Sequence, residues 1–301
     1  MTTPPYIKSG NRVALVATAK KIAQEEINAA IHVLEKWGLE VVLGQSLHNE
    51  AHQFAGTEVK RAKDFQAALD DPTIQMILCA RGGYGTVRMI DRLDFSAFCN
   101  NPKWIVGFSD ITVLHSHIHA QFGIETLHGP MAINFGESKS LEILKKACFG
   151  EQLKYQFQGK RLNREGVAEG QVVGGNLSIL YSLKGSASDI NMDGKILFLE
   201  DLDEYLYHVD RMMLNLKRSG MLQGLAGLVV GGMTDMKDNQ VPFGKTAEEI
   251  ILETVSEYEY PVCFGFPAGH RPLNDPLFMG RKATLQVGRD HVALIFDHDG
   301  S

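Results

Sequence analysis

Ser109 and Asp110 stand where the apolar run Trp104-Ile-Val-Gly-Phe108 gives way to helical spacing at Val113, Leu114, Ile118 and Phe122. A hydroxyl on such a strand-to-helix turn lies beside unpaired helix N–H groups, which favour an oxyanion or a bound carboxylate. Ser109 is therefore a candidate nucleophile, although both residue types are also ordinary helix N-caps. A serine nucleophile needs a base to take its proton and a third group to fix that base's tautomer. His270 is the better-specified base, because Phe264-Gly-Phe-Pro-Ala-Gly-His270 ends a strand in a loop shaped by glycine and proline. Glu200 follows the apolar strand 196–199 and can accept a hydrogen bond from the His270 ring. Its cluster with Asp201, Asp203 and Glu204 also fits a solvated loop, a cation site or the paired carboxylates of a glycosidase.

Other chemistry-bearing residues are less specific. His115, His117 and His119 lie in the helix after Ser109. Only the first and last share a face, and without an HExxH pattern they read as helix histidines. His128, in Leu127-His-Gly-Pro130, closes a strand within reach of the site. The loop Arg81-Gly-Gly-Tyr-Gly85 lacks both GxGxxG spacing and the GxxxxGK[ST] lysine, but its glycines allow backbone N–H groups to approach an anion.

The elements that must hold these residues alternate in the first half. Strands at 12–17, 39–43, 74–79 and 104–108 are separated by helical patterns at 22–37, 57–69 and 86–93. Repeated βα units force parallel pairing, so the N-terminal half is expected to be a doubly wound, mainly parallel α/β sheet. Its sites belong at the carboxyl ends of the strands, where Arg81-Gly85 and Ser109-Asp110 lie. Periodicity weakens from 137 to 169. The division expected is an N-terminal domain over 1–145, a linker over 146–166 and an α+β C-terminal domain over 167–301. That second domain carries strands at 171–173, 195–199, 228–230 and 262–264, helices at 176–184 and 246–255, and a helical stripe of Val209, Met212, Met213 and Leu216. A terminal hairpin joins 283–287 to 292–296.

Composition narrows the function classes. With 301 residues, 44% hydrophobic and 22% charged, the chain has ample core for two domains, and its net charge of −6 supplies no basic field for nucleic acid or an anionic membrane. The first residues show no signal-peptide pattern, no apolar run is long enough to span a bilayer, and the four scattered cysteines form no CxxC pair. The expectation is a cytoplasmic protein with free thiols and no metal site.

Six segments in one order resemble the LD-carboxypeptidase family of serine peptidases: Ala80-Arg-Gly-Gly-Tyr-Gly85, Gly107-Phe-Ser-Asp110, Leu127-His-Gly-Pro-Met131, Gly174-Gly-Asn-Leu-Ser178, Leu197-Phe-Leu-Glu-Asp201 and Gly265-Phe-Pro-Ala-Gly-His270. The resemblance implies a Ser109, His270, Glu200 triad, oxyanion donors at the backbone N–H groups of Gly83 and Asp110, no cofactor, and a homodimer of two-domain chains. It also implies release of the terminal D-alanine of a murein tetrapeptide at an L–D bond during peptidoglycan recycling. A related branch confers immunity to a peptide–nucleotide antibiotic (microcin) and carries an extra loop between serine and glutamate. No inserted aromatic loop is visible here. The order Ser, Glu, His is that of α/β-hydrolases, but Ile111 occupies the last position of a would-be GxSxG, so that fold is not assigned.

An exopeptidase must also bind a free carboxylate. Arg81 and Arg271 are candidates for bidentate pairing, or are merely solvent-facing cations, while Gly82 lies in the same loop as Arg81. Asn176 either supports the site by hydrogen bonding or caps its helix. The rival from another class is a non-catalytic two-domain protein whose glycine loop binds an anion. Because the candidate triad spans both halves, it is either preassembled at their interface or brought together by closure.

Overall fold

Alternate residues of the first strand serve opposite cores: Val13 and Leu15 join one, Ala14 and Val16 the other. That two-sided burial is what a parallel sheet between helical layers demands. In the computed structural model, which describes residues 1–298, β1 (Arg12–Val16), α1 (Gln24–Lys36), β2 (Glu40–Leu43), α2 (Glu58–Asp70), β3 (Ile74–Cys79), α3 (Ser96–Asn100), β4 (Trp104–Gly107), α4 (Thr112–Phe122), β5 (Thr126–His128) and α5 (Leu141–Cys148) follow one another. The first five strands pair in parallel, in the order β5-β4-β3-β1-β2. Strand order reverses between β1 and β3, and such a reversal opens a crevice at the carboxyl ends. Helices α1 and α5 cover one face; α2, α3 and α4 cover the other.

The second half contains β6 (Lys154–Gln158), β7 (Gly166–Asn176), α6 (Leu177–Leu183), β8 (Ile196–Leu202), α7 (Leu206–Arg218), β9 (Gly227–Thr234), α8 (Ala247–Thr254), β10 (Val262–Phe264), β11 (Leu277–Met279), β12 (Lys282–Val287) and β13 (His291–Phe296). Its sheet runs β10-β9-β8-β7-β12-β13-β6, parallel from β7 to β10 and antiparallel beyond. Leu197 and Leu199 face α6, α7 and α8, whereas Phe198 points the other way into a core shared with Trp104, Val106 and Leu127 of the first sheet. The two halves are thus packed through a continuous apolar interior. Among the described residues no helix is long and apolar enough to cross a membrane.

The expected α/β architecture with a second α+β part is present, but the linear division at 145 and 167 is crossed twice. The stretch expected to be a linker contains β6, an edge strand paired with β13. Lys154, Gln156 and Gln158 are exposed while Tyr155 and Phe157 turn inward, a short alternation set within a polar stretch. Conversely, β11 leaves the second half and pairs antiparallel with β5, completing the first sheet as its sixth strand.

Candidate active site

Both sheets present the carboxyl ends of parallel strands to one cleft of about 580 Å³, lined among others by Lys20, Arg81, Gly82, Gly83, Ser109 and His270. From the first sheet come the loops after β1, β3 and β4; from the second, the ends of β8 and β10. Ser109 follows β4 at a φ of 62°, the left-handed region that a side chain with a Cβ enters only at a cost of roughly 1–2 kcal/mol. Such strain persists where the surroundings over-determine it, as on a sharp strand-to-helix elbow. The N-cap alternative fails here, because the Ser109 side chain makes no capping bond to α4 and a short 3₁₀ turn precedes that helix.

Ser109 Oγ lies 3.1 Å from His270 Nε2, and His270 Nδ1 lies 2.7 Å from Glu200 Oε2. The carboxylate accepts from Nδ1–H, which leaves Nε2 to accept from the serine hydroxyl. The backbone N–H of His270 donates to the same carboxylate oxygen at 3.1 Å. Gly269 permits this approach: at φ 99°, a Cβ there would meet Glu200 Oε2 at 2.6 Å. Glu200 itself sits at a bulge in the pairing of β8 with β9, between Leu199 and Asp201, a device that re-aims a side chain at a strand end. The three residues are within hydrogen-bond reach of one another at the junction of the two halves.

Burial disfavours the His270 imidazolium, but the hydrogen bond and charge of Glu200, with Asp201 adding its own, outweigh it and hold the pKa above the usual histidine value. Asp201 is pushed up to about 7 by burial and by the neighbouring Glu200 charge, against hydrogen bonds from Leu202, Asn176 and Ser178. Asn176, expected as a substrate contact or helix cap, caps α6 and is buried at 3% exposure. Its amide donates to Asp201 at 2.8 Å and to Glu200 at 3.3 Å. It touches the carboxylates, not the cleft.

The glycine loop is pressed onto the serine. A Cβ on Gly82 would lie 3.0 Å from Ser109 Cβ, 3.1 Å from its Oγ and 3.4 Å from the Asp110 backbone nitrogen. Gly83 adopts φ 110° and Gly85 φ 148°. The Asp110 carboxylate, a role the sequence did not disclose, accepts from the Thr86 N–H at 2.8 Å and so anchors the end of this loop. Burial raises its pKa against that hydrogen bond and the charge of Arg61. Arg61, itself buried, ties together three loops through the carbonyls of Thr18, Gly56 and Gly85.

The remaining expected residues fall into two groups. Arg81 lines the cleft with its guanidinium on the Lys21 carbonyl at 3.2 Å, 3.8 Å from Glu26. Arg271 lies in a neighbouring pocket of about 430 Å³ and bonds the Phe266 carbonyl at 3.2 Å. Two of the helix histidines are buried, because α4 packs against both β5 and β7: His115 bonds Thr126 and the Gly107 carbonyl, and His117 bonds Ser188. Burial lowers His115 to about 4, so it is a neutral structural group. His128 is fully buried against Phe108 and Phe198, and burial holds it neutral. Lys20, which no motif marked, lines the cleft after β1; its position at the strand-order reversal was the available signal.

Residues 13–129 match the profile of the LD-carboxypeptidase N-terminal domain, and residues 169–285 that of the LD-carboxypeptidase C-terminal domain. Over 291 residues the chain is 33% identical to a Bacillus subtilis (strain 168) protein named "Probable murein peptide carboxypeptidase", covering 94% of this chain and 91% of the relative. The chain belongs to the LD-carboxypeptidase family. Membership of the LD-carboxypeptidase family places it among hydrolases of the carboxypeptidase type. The muramoyltetrapeptide carboxypeptidase from Oxalobacter formigenes has a TM-score of 0.87 at 28% identity, covering 96% of this chain and 99% of its own. The wild-type Microcin C7 self immunity protein in its apo state aligns with a TM-score of 0.86 at 22% identity over 97% and 98% of the two chains, a likeness of fold to this LD-carboxypeptidase-family chain.

Proposed function

We propose that this protein is a serine-type LD-carboxypeptidase that releases the terminal D-alanine of a murein tetrapeptide by hydrolysing its L–D peptide bond. The observation that carries this reading is the continuous hydrogen-bonded chain from Ser109 through His270 to Glu200 beside a glycine loop, in a member of this family. Ser109 Oγ attacks the carbonyl before the D-alanine as His270 Nε2 takes its proton. The proton then goes to the leaving amine, D-alanine departs, and the peptide remains as an ester on Ser109. Water, deprotonated by His270, hydrolyses that ester. Glu200 stabilises the transient imidazolium, and the N–H groups of Gly83 and Asp110 hold the tetrahedral oxyanion, each donor contributing about 2.7–4 kcal/mol in comparable hydrolases. The scheme uses no metal and no organic cofactor.

The murein substrate is supported by the names of the Bacillus and Oxalobacter relatives. Between Ser109 and Glu200 the only exposed large hydrophobic residue among the described residues is Val167, so that interval presents no exposed aromatic side chain of the kind an inserted nucleotide-gripping loop would carry, which favours this reading over microcin immunity. With it go a cytoplasmic place in peptidoglycan recycling and a homodimeric assembly, the latter checked by light scattering. The decisive experiment is Ser109→Ala, with products from L–D tetrapeptides read by mass spectrometry. D-alanine release falls by orders of magnitude while the fold is retained. Equal release by mutant and wild type would remove Ser109 as nucleophile.

A further inference from the structure

An exopeptidase differs from an endopeptidase in one ligand group, the free carboxylate one residue beyond the bond it cuts. That group needs a cation whose own charge is not already spent. Arg81 approaches the Glu26 carboxylate at 3.8 Å, and Arg271, which pairs with no carboxylate among the described residues, lies in the neighbouring pocket and not among the residues that line the Ser109 cleft. Two carboxylates also line the cleft: Asp203 pairs with Lys237 at 2.7 Å, and Glu204 accepts a hydrogen bond from His208 at 2.6 Å.

Lys20 is different. It follows β1 at the reversal of strand order, is half-buried, and lines the cleft that contains Ser109 and His270. Its stem crosses the face of Gly83: a Cβ on that glycine would stand 2.6 Å from Lys20 Cδ, 2.7 Å from Cγ and 2.8 Å from Cε. Gly83 is therefore required both for its φ of 110° and to leave room for the lysine. The Lys20 backbone is tied down by its bridge to Phe54. Among the described residues its ammonium takes part in no hydrogen bond and no salt bridge. A lysine stem laid along a rigid loop, with an unspent charge at its tip and the serine in the same cleft, is a fixed-length reach to an anion.

We propose that Lys20 binds the C-terminal carboxylate of the substrate and so makes the site an exopeptidase. This assignment rests on the peptidase reading above. A lysine ammonium suits the purpose as a compact point charge that accepts a carboxylate in several orientations. Of the two carboxylates that line the same cleft, Asp203 pairs with Lys237 and Glu204 accepts a hydrogen bond from His208, and neither forms an ion pair with Lys20.

The test compares two L–D tetrapeptides that differ only in ending as the free acid or the carboxamide, with D-alanine and D-alaninamide release followed by mass spectrometry. Wild-type enzyme prefers the acid by about tenfold or more in kcat/KM, the scale of one charge-assisted contact. Lys20→Gln removes the preference by raising KM for the acid about tenfold, leaves kcat within about twofold, and leaves the amide unchanged. Lys20→Arg restores most of the preference. Added salt raises KM for the acid in wild type and has little effect in Lys20→Gln. Two results overturn the proposal: an acid preference that survives Lys20→Gln, or an equal loss of kcat on both substrates, which would put the cation on the oxyanion or on loop geometry. If wild type cuts neither peptide, the peptidase reading falls and takes Lys20 with it. If Ser109-dependent cleavage persists while Lys20→Gln behaves as wild type, only the Lys20 assignment falls.

Discussion

Replacing Gly82 by alanine adds one methyl group at the point where the glycine loop meets the serine. Gly82 does not have a positive φ, so its backbone accepts alanine without strain, and the whole effect comes from contact. The new Cβ would sit 3.0 Å from Ser109 Cβ and 3.1 Å from Oγ, whereas ordinary contacts begin at 3.4 Å. Ser109 is held by its elbow and the loop by Asp110 on Thr86. One of them must yield by about half an ångström, an overpacking cost of about 1–3 kcal/mol. For a chain of this size that lowers Tm by about 2–10 °C. Since displacement of a reacting atom by about 1 Å costs about 10²-fold in rate, half that shift predicts about a tenfold fall in kcat, with KM less affected. D-alanine release gives the rate, and the rate of Ser109 labelling by a fluorophosphonate gives the reactivity of the hydroxyl independently of peptide binding. Gly136→Ala, whose Cβ would meet nothing closer than 3.8 Å, is the control and leaves both unchanged. A Gly82→Ala enzyme with wild-type kcat and wild-type labelling would refute the claim that this loop positions the nucleophile.

Two further outcomes are expected. Glu200→Gln lowers kcat by roughly 10⁴, as loss of the orienting carboxylate does in other serine triads. It also shifts the pH profile: His270 must be neutral to take a proton, so activity rises with pH through a pKa above 6.5 in wild type, and without the Glu200 hydrogen bond and charge, burial opposed only by Asp201 moves that limb to lower pH. A limb that stays in place would show that another group sets it. Arg281→Met removes the cation that pairs with Glu125 at 2.6 Å in a nearly fully buried ion pair, and lowers stability by about 3–5 kcal/mol in chemical denaturation. A loss below about 1 kcal/mol would mean that the carboxylate finds water or a proton instead.

What the sequence disclosed was local. The stripe of Val209, Met212, Met213 and Leu216 announces α7, and each of the four is buried as its spacing requires. The turn at Ser109 was legible because a buried strand, a glycine and a helical pattern meet within a few residues. Pairings distant in the chain were not legible. A three-residue strand such as Leu277–Met279 is too short to show alternation, and its partner β5 lies far earlier in the chain. The Asn176 amide on Asp201 depends on the register that sets Asn176 beside Glu200 across β7 and β8, which no single-strand pattern contains. Lys20 carried no signal beyond its place after β1, since an isolated lysine in a loop is usually a solvated cation.

The antiparallel strand β11 has a consequence for the order in which this protein comes into being. Ribosomes deliver β1 to β5 first, yet the open edge of β5 stays unpaired until Leu277–Met279 has been made, after His270 and almost every other element. The same late segment that closes the sheet carrying Ser109 follows directly on the loop that brings in His270. On the proposed triad, a chain made in this order has no activated Ser109 hydroxyl while it is still short, and closing the sheet and bringing His270 to the serine are nearly one event.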